Sequence, residues 1–83
     1  MKILANDDTK TLLSLLSMTL RNAGREVAEA ENGEEGLARF DQFKPDLVIT
    51  DLNMPVMDGI EFTRACRSRP AGQNTPIIVL TPE

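Results

Sequence analysis

Short apolar runs alternate with longer amphipathic stretches along this chain. Ile3-Leu4-Ala5, Leu47-Val48-Ile49-Thr50 and Ile77-Ile78-Val79-Leu80 are continuous rather than alternating, largely β-branched, and a few residues long. Strands buried on both faces read this way, so the three runs predict a parallel sheet. Glu26 to Ala30 (Glu-Val-Ala-Glu-Ala) is weaker and more polar, as suits an edge strand. Between the runs, Thr9 to Ala23 carries Leu12, Leu13, Leu16, Leu20 and Ala23 at helical spacing, and Gly24 stands where a glycine cap ends a helix. Glu34 to Phe43 follows an Asn32-Gly33 turn with Leu37, Ala38 and Phe40 as its apolar positions; Gly36 is a weak point inside it. Asp58 with Glu61 three residues on has the pattern of a capping box, after which Phe62, Ala65 and Cys66 share one helical face. Met18 and Cys66 are expected as core filler. The order β-α-β-α-β-α-β predicts right-handed crossovers and helices on both faces of one sheet, an α/β fold.

Composition narrows the function more than the fold. With 83 residues, 41% hydrophobic and 27% charged, the chain is an ordinary globular domain with a small core. No apolar run approaches the ~20 residues of a membrane helix, and no signal-peptide pattern opens the chain, so a cytoplasmic location without a membrane partner is expected. A net charge of −4, no Trp, no Tyr and three Phe leave neither the basic surface nor the stacking platform that nucleic acid requires. One cysteine and no histidine exclude an internal disulfide and the common zinc sites.

The remaining chemistry lies at strand ends. In an open α/β sheet the ligand site sits beyond the carboxyl ends of the strands, where the strand order reverses. Asp7 and Asp8 leave the first strand, Asp51 leaves the third, and Thr81 ends the fourth. Taken singly, Asp7 or Asp8 could cap the helix near Thr9, Asp51 could feed a turn, and Thr81 could be a plain strand residue. Their joint occurrence is poorly explained by coincidence. If the first and third strands are central neighbours, three carboxylates share one crevice, and their repulsion calls for protonation or a cation. Magnesium suits such a site, since it takes one or two carboxylates and keeps waters and a phosphate oxygen; manganese is the ready substitute. An ionised Asp can also attack phosphorus to form an aspartyl phosphate.

With those residues in place, the chain resembles the receiver domain of two-component response regulators. The resemblance rests on Lys2-Ile3-Leu4 running into Asp7-Asp8, on Pro45-Asp46-Leu47-Val48 running into Asp51, on Asp51-Leu52-Asn53-Met54-Pro55-Val56-Met57-Asp58-Gly59, and on Pro76-Ile77-Ile78-Val79-Leu80-Thr81. It implies a flavodoxin-like doubly wound sheet, here four strands in the order 2-1-3-4 with three helices, as one receiver domain over residues 1–83. It also implies that Asp51 is the phosphoacceptor. Asp8, Asp51 and the backbone carbonyl of Asn53 match the direct magnesium ligands, Asp7 the acid that reaches the metal through water, and Thr81 the hydroxyl that bonds the phosphoryl group. The implied partner is a sensor histidine kinase or a phosphotransfer protein.

The departures from the family pattern carry expectations of their own. The family's fifth strand, with its phosphoryl-pairing lysine and aromatic switch residue, has no counterpart before Glu83, and Lys2, Lys10 and Lys44 are not in its place. Impaired switching is therefore expected, with a homodimer through the fourth strand and the leucine-rich first helix. Asn6 stands where the family mostly has an apolar residue, and Pro82 where it mostly has Ala or Gly. The alternative reading is a pseudo-receiver, an interaction module that signals without phosphorylation. A phosphatase of the haloacid dehalogenase kind would need an acid where Asn53 stands, and an EF-hand loop would need a ligand and a glycine where Pro55 and Val56 stand.

Overall fold

A computed structural model describes residues 1–81. Its four strands are β1 (Lys2–Asn6), β2 (Glu26–Ala30), β3 (Leu47–Asp51) and β4 (Ile77–Leu80); its helices are α1 (Lys10–Asn22), α2 (Gly33–Phe43) and α3 (Gly59–Arg67), with a short 3-10 turn at Pro70–Gly72. The strands form one parallel sheet in the order β2-β1-β3-β4, the flavodoxin-like arrangement implied by the resemblance. Pro82, one of the departures from the family pattern, lies outside the described residues.

Each strand alternates its faces, and helices cover both. Leu4, Ala30 and Val48 point to the side where Phe40 of α2 and Phe62 and Cys66 of α3 pack, joined by Met54. Ile3 and Ala5 are buried toward the other side, where α1 lies against β1 and β2. The helix ends follow local chemistry. Asn32 caps α2 by accepting from the Glu35 N–H at 2.8 Å, and Asp58 and Glu61 make the reciprocal capping box at α3. Gly24, at φ +83°, turns the chain out of α1 as a left-handed glycine should.

The phase of α1 departs from expectation. Leu13 and Ser17 are its buried residues, whereas Met18 is 59% exposed, Leu12 is 55% exposed and Ala23 lies open at the C-cap. Leucines run around this helix on more than one side, so spacing alone admits several faces; docking on the sheet selects the one carrying Ser17. Its hydroxyl is buried without a hydrogen-bond partner. Cys66 is core filler as expected, and burial pushes its thiol up to about 11. Among the described residues no helix is long and apolar enough to cross a membrane.

Candidate functional site

Register places the acids. Asn6 of β1 lies opposite both Ala30 of β2 and Thr50 of β3, so Asp7 and Asp51, one residue further along neighbouring strands, emerge side by side. Asp7 is buried; its N–H donates to Ala30 O at 3.0 Å, and its Oδ1 accepts from the Thr9 N–H at 2.9 Å. That second bond opens the turn into α1, while the Thr9 side chain itself makes no cap. The helix-cap reading of the acid pair is not realised: Thr9 is the N-cap of α1, no side chain caps the helix, and Asp7 holds only the Thr9 N–H that precedes its first turn. Asp8 is exposed at the rim and Asp51 is half-buried.

The three carboxylates form one cluster, each offering an oxygen within 4.8 Å of the others. Desolvation raises the pKa of Asp51 above its ordinary value; Asp7 and then Asp8 raise it further, against hydrogen bonds from the backbone at Leu52 and Asn53. Oxygens across a magnesium ion stand about 4 Å apart, so this donor set, all hard oxygen and negatively charged, fits one small divalent cation with little rearrangement. No ion pair links a lysine to the cluster among the described residues: Lys2 sits 5.0 Å over the Phe43 ring, Lys10 pairs with Glu31, and Lys44 ends α2.

The segment after Asp51 is stitched at both ends. Met54 is buried in the core with the Thr50 hydroxyl 3.9 Å from its sulfur, and the Gly59 N–H returns to Leu52 O at 2.7 Å. A Cβ on Gly59 would stand 2.5 Å from Asp51 O, so only glycine lets α3 begin this close to the acid. Between these anchors Met57 N–H bonds Pro55 O at 2.8 Å around Val56, whose φ is +72°.

Asp7, Asp51, Asn53 and Thr81 line one open cleft, with Leu12 and Leu80 as apolar walls, so every site residue expected from the sequence falls in the cleft or, as Asp8, in the adjoining acid cluster. Leu12 escaped the sequence reading as a site residue; its signal was its position one helical turn beyond Asp8. A parallel sheet with crossover helices also disposes of the helix-loop-helix geometry an EF-hand requires.

Comparison with known proteins agrees with this geometry. Residues 3–83 match the response regulator receiver domain. The transcriptional regulatory protein ResD of Bacillus subtilis is 44% identical over 80 residues, which cover 96% of this chain and 32% of ResD. A probable chemotaxis protein CheY of Rhizobium etli is 40% identical over 81 residues, covering 96% of this chain and 63% of that protein. The solved structure of the chemotaxis response regulator CheY4 of Vibrio cholerae superimposes with a TM-score of 0.95 at 44% identity, over 99% of this chain and 68% of that one. The chain therefore spans about a third of the length of the transcriptional regulators it matches (32% for ResD) and about two thirds of the chemotaxis proteins. By sequence, sheet order and superposition alike, the chain belongs to the response regulator receiver domain family.

Proposed function

We propose that this chain accepts a phosphoryl group on Asp51 as a step in two-component signalling, with Mg²⁺ or Mn²⁺ held by Asp7, Asp8, Asp51 and the backbone carbonyl of Asn53. The convergence of three carboxylates at the carboxyl ends of the two central strands carries the proposal. Asp8 and Asp51 are assigned as direct ligands. Asp7, with one oxygen engaged by the Thr9 N–H, is assigned to the ion through water. The bound ion offsets the negative charge that gathers on the phosphoryl oxygens.

The donor is a phosphohistidine of a sensor histidine kinase or phosphotransfer protein in the cytoplasm, or a small acyl phosphate. An Asp51 carboxylate oxygen forms the new P–O bond while the donor's P–N or P–O bond breaks, its electron pair leaving with the imidazole nitrogen or the acetate. Thr81, on the same cleft, donates its hydroxyl to a phosphoryl oxygen. Leu12 and Leu80 narrow the access of water to the acyl phosphate. We further assign self-association to the edge strand β4 and the outer face of α1, where Ile78, Leu80, Leu12 and Leu15 are each about half exposed.

Incubation with acetyl phosphate and Mg²⁺, read by intact-protein mass, tests the assignment. One phosphoryl adduct on the parent and none on Asp51→Asn is expected. Labelling of both proteins would refute Asp51 as the site. Metal binding without any adduct would favour the pseudo-receiver reading, a module acting by association.

A further inference from the structure

Among the described residues Asn6 is the one fully buried amide side chain at the acid end of the sheet, 1% exposed in a strand whose other buried residues, Ile3, Leu4 and Ala5, are apolar. Two carbonyl oxygens face it, which assigns the orientation of the amide: its nitrogen donates to Ala30 O at 3.1 Å and to Asn32 O at 3.0 Å. Ala30 is the last residue of β2 and Asn32 the N-cap of α2. The same Ala30 oxygen accepts the Asp7 N–H at 3.0 Å, and the same Asn32 oxygen accepts the Gly36 N–H at 2.8 Å. One side chain thus ties the strand bearing Asp7 and Asp8 to the turn that opens α2. The amide lies against Gly36, where a Cβ would collide with it; the glycine that weakens α2 in sequence makes room for this amide.

The turn reaches the other arm of the site. Gly33 follows Asn32 and is packed so closely against Met57 that a Cβ on it would stand 2.5 Å from the Met57 Cβ. Met57 closes the tight turn at Val56 and lies in the segment that starts at Asp51 and carries Asn53. A continuous path therefore runs from Asn6 through Asn32, Gly33 and Met57 to the loop behind the acid cluster.

We infer that Asn6 is a positioning residue for the acid cluster, holding the β2–α2 turn as the seat on which Met57 and the Asp51–Gly59 loop are aligned with Asp7 and Asp8. The inference rests on the cluster being a cation site. A buried amide donating two hydrogen bonds is costly to lose, and partners behind the ligands of a metal commonly change its affinity by about tenfold or more. Asn6 acts through backbone and packing, not on a ligand side chain, so the expected effect is smaller, about three- to tenfold.

The test is Mn²⁺ affinity, measured by calorimetry and by paramagnetic broadening, in the parent, Asn6→Val, Met57→Ala, the double variant, and Leu13→Val as a core control on the opposite face. Asn6→Val and Met57→Ala are each expected to weaken Mn²⁺ binding about three- to tenfold, with the double variant clearly less than the product, since both cut the same path. Leu13→Val is expected to leave the affinity unchanged while lowering stability. Amide exchange at Glu35 and Gly36 should quicken in Asn6→Val only. An unchanged affinity in Asn6→Val, a double variant equal to the product, or equal weakening by Leu13→Val would each overturn the role of Asn6. Should Asn6→Val not fold, Met57→Ala decides alone, because an unchanged affinity there breaks the path. A parent that binds no Mn²⁺, or whose affinity survives Asp51→Asn, refutes the cation site itself and is distinguishable from failure of the Asn6 assignment.

Discussion

Replacing Val56 by asparagine should stabilise this protein, although Val56 adjoins the candidate site. Val56 sits at φ +72° between a Pro55 carbonyl and a Met57 N–H bonded at 2.8 Å, the geometry of a γ-turn with positive central φ, which is rare and strained. A β-branched side chain in that region crowds the neighbouring carbonyl and costs about 1–2 kcal/mol. Little opposes its removal. The side chain is 74% exposed, so a quarter of the ~1.5–3 kcal/mol for burying a valine, about 0.5 kcal/mol, is lost. The net gain for Val56→Asn is then about 0.5–1.5 kcal/mol, a rise in Tm of roughly 2–12 °C for a domain of this size. Val56→Gly relieves the same strain but enlarges the unfolded ensemble by about 0.5–1 kcal/mol, so it should fall between asparagine and the parent. Val56→Ile keeps the branch and should be neutral. With no Trp or Tyr in the chain, urea and thermal unfolding are followed by far-UV circular dichroism. An asparagine variant no more stable than the parent, at unchanged m-value, would refute the strain argument.

Asp51→Asn should raise the stability of the metal-free protein at neutral pH and flatten its decline from acid to neutral pH. The folded state holds the Asp51 proton above the ordinary 3.8, so this group favours folding at low pH and costs stability as pH rises through the raised value; urea midpoints across that range in chelator check it. Gly59→Ala should cost about 1–3 kcal/mol, because its Cβ would stand 2.5 Å from Asp51 O; equal urea midpoints for parent and variant would contradict this. Ile78→Lys on the edge strand β4 should shift a concentration-dependent association toward single-chain mass in sedimentation equilibrium, and a parent already monomeric at all concentrations would refute self-association through this edge.

Local signals were legible and long-range ones were not. The capping box of Asp58 and Glu61, the Gly24 turn and the apolar strand runs involve neighbours within a few residues, so their geometry is carried by backbone preference and side-chain type. The acid site was readable for a related reason. Asp7, Asp8, Asp51 and Thr81 sit at strand ends, and a parallel sheet brings all its carboxyl ends to one edge whatever the packing details. The phase of α1 was not readable, because leucines at positions 12, 13, 15, 16 and 20 offer several apolar faces and only docking chose the one with Leu13 and Ser17.

The sequence alone settled the alternation of strands and helices, the starts of α2 and α3, and which acids stand at the mouth of the sheet, since each follows from residue type and spacing. Tertiary structure decided that Met18 faces solvent, that Gly36 is there to admit the Asn6 amide, that Gly33 seats Met57, and that Val56 is held at positive φ. Those outcomes depend on pairs far apart along the chain, whose contact free energy exists only once the sheet register has brought them within a few ångströms, and no local preference encodes it.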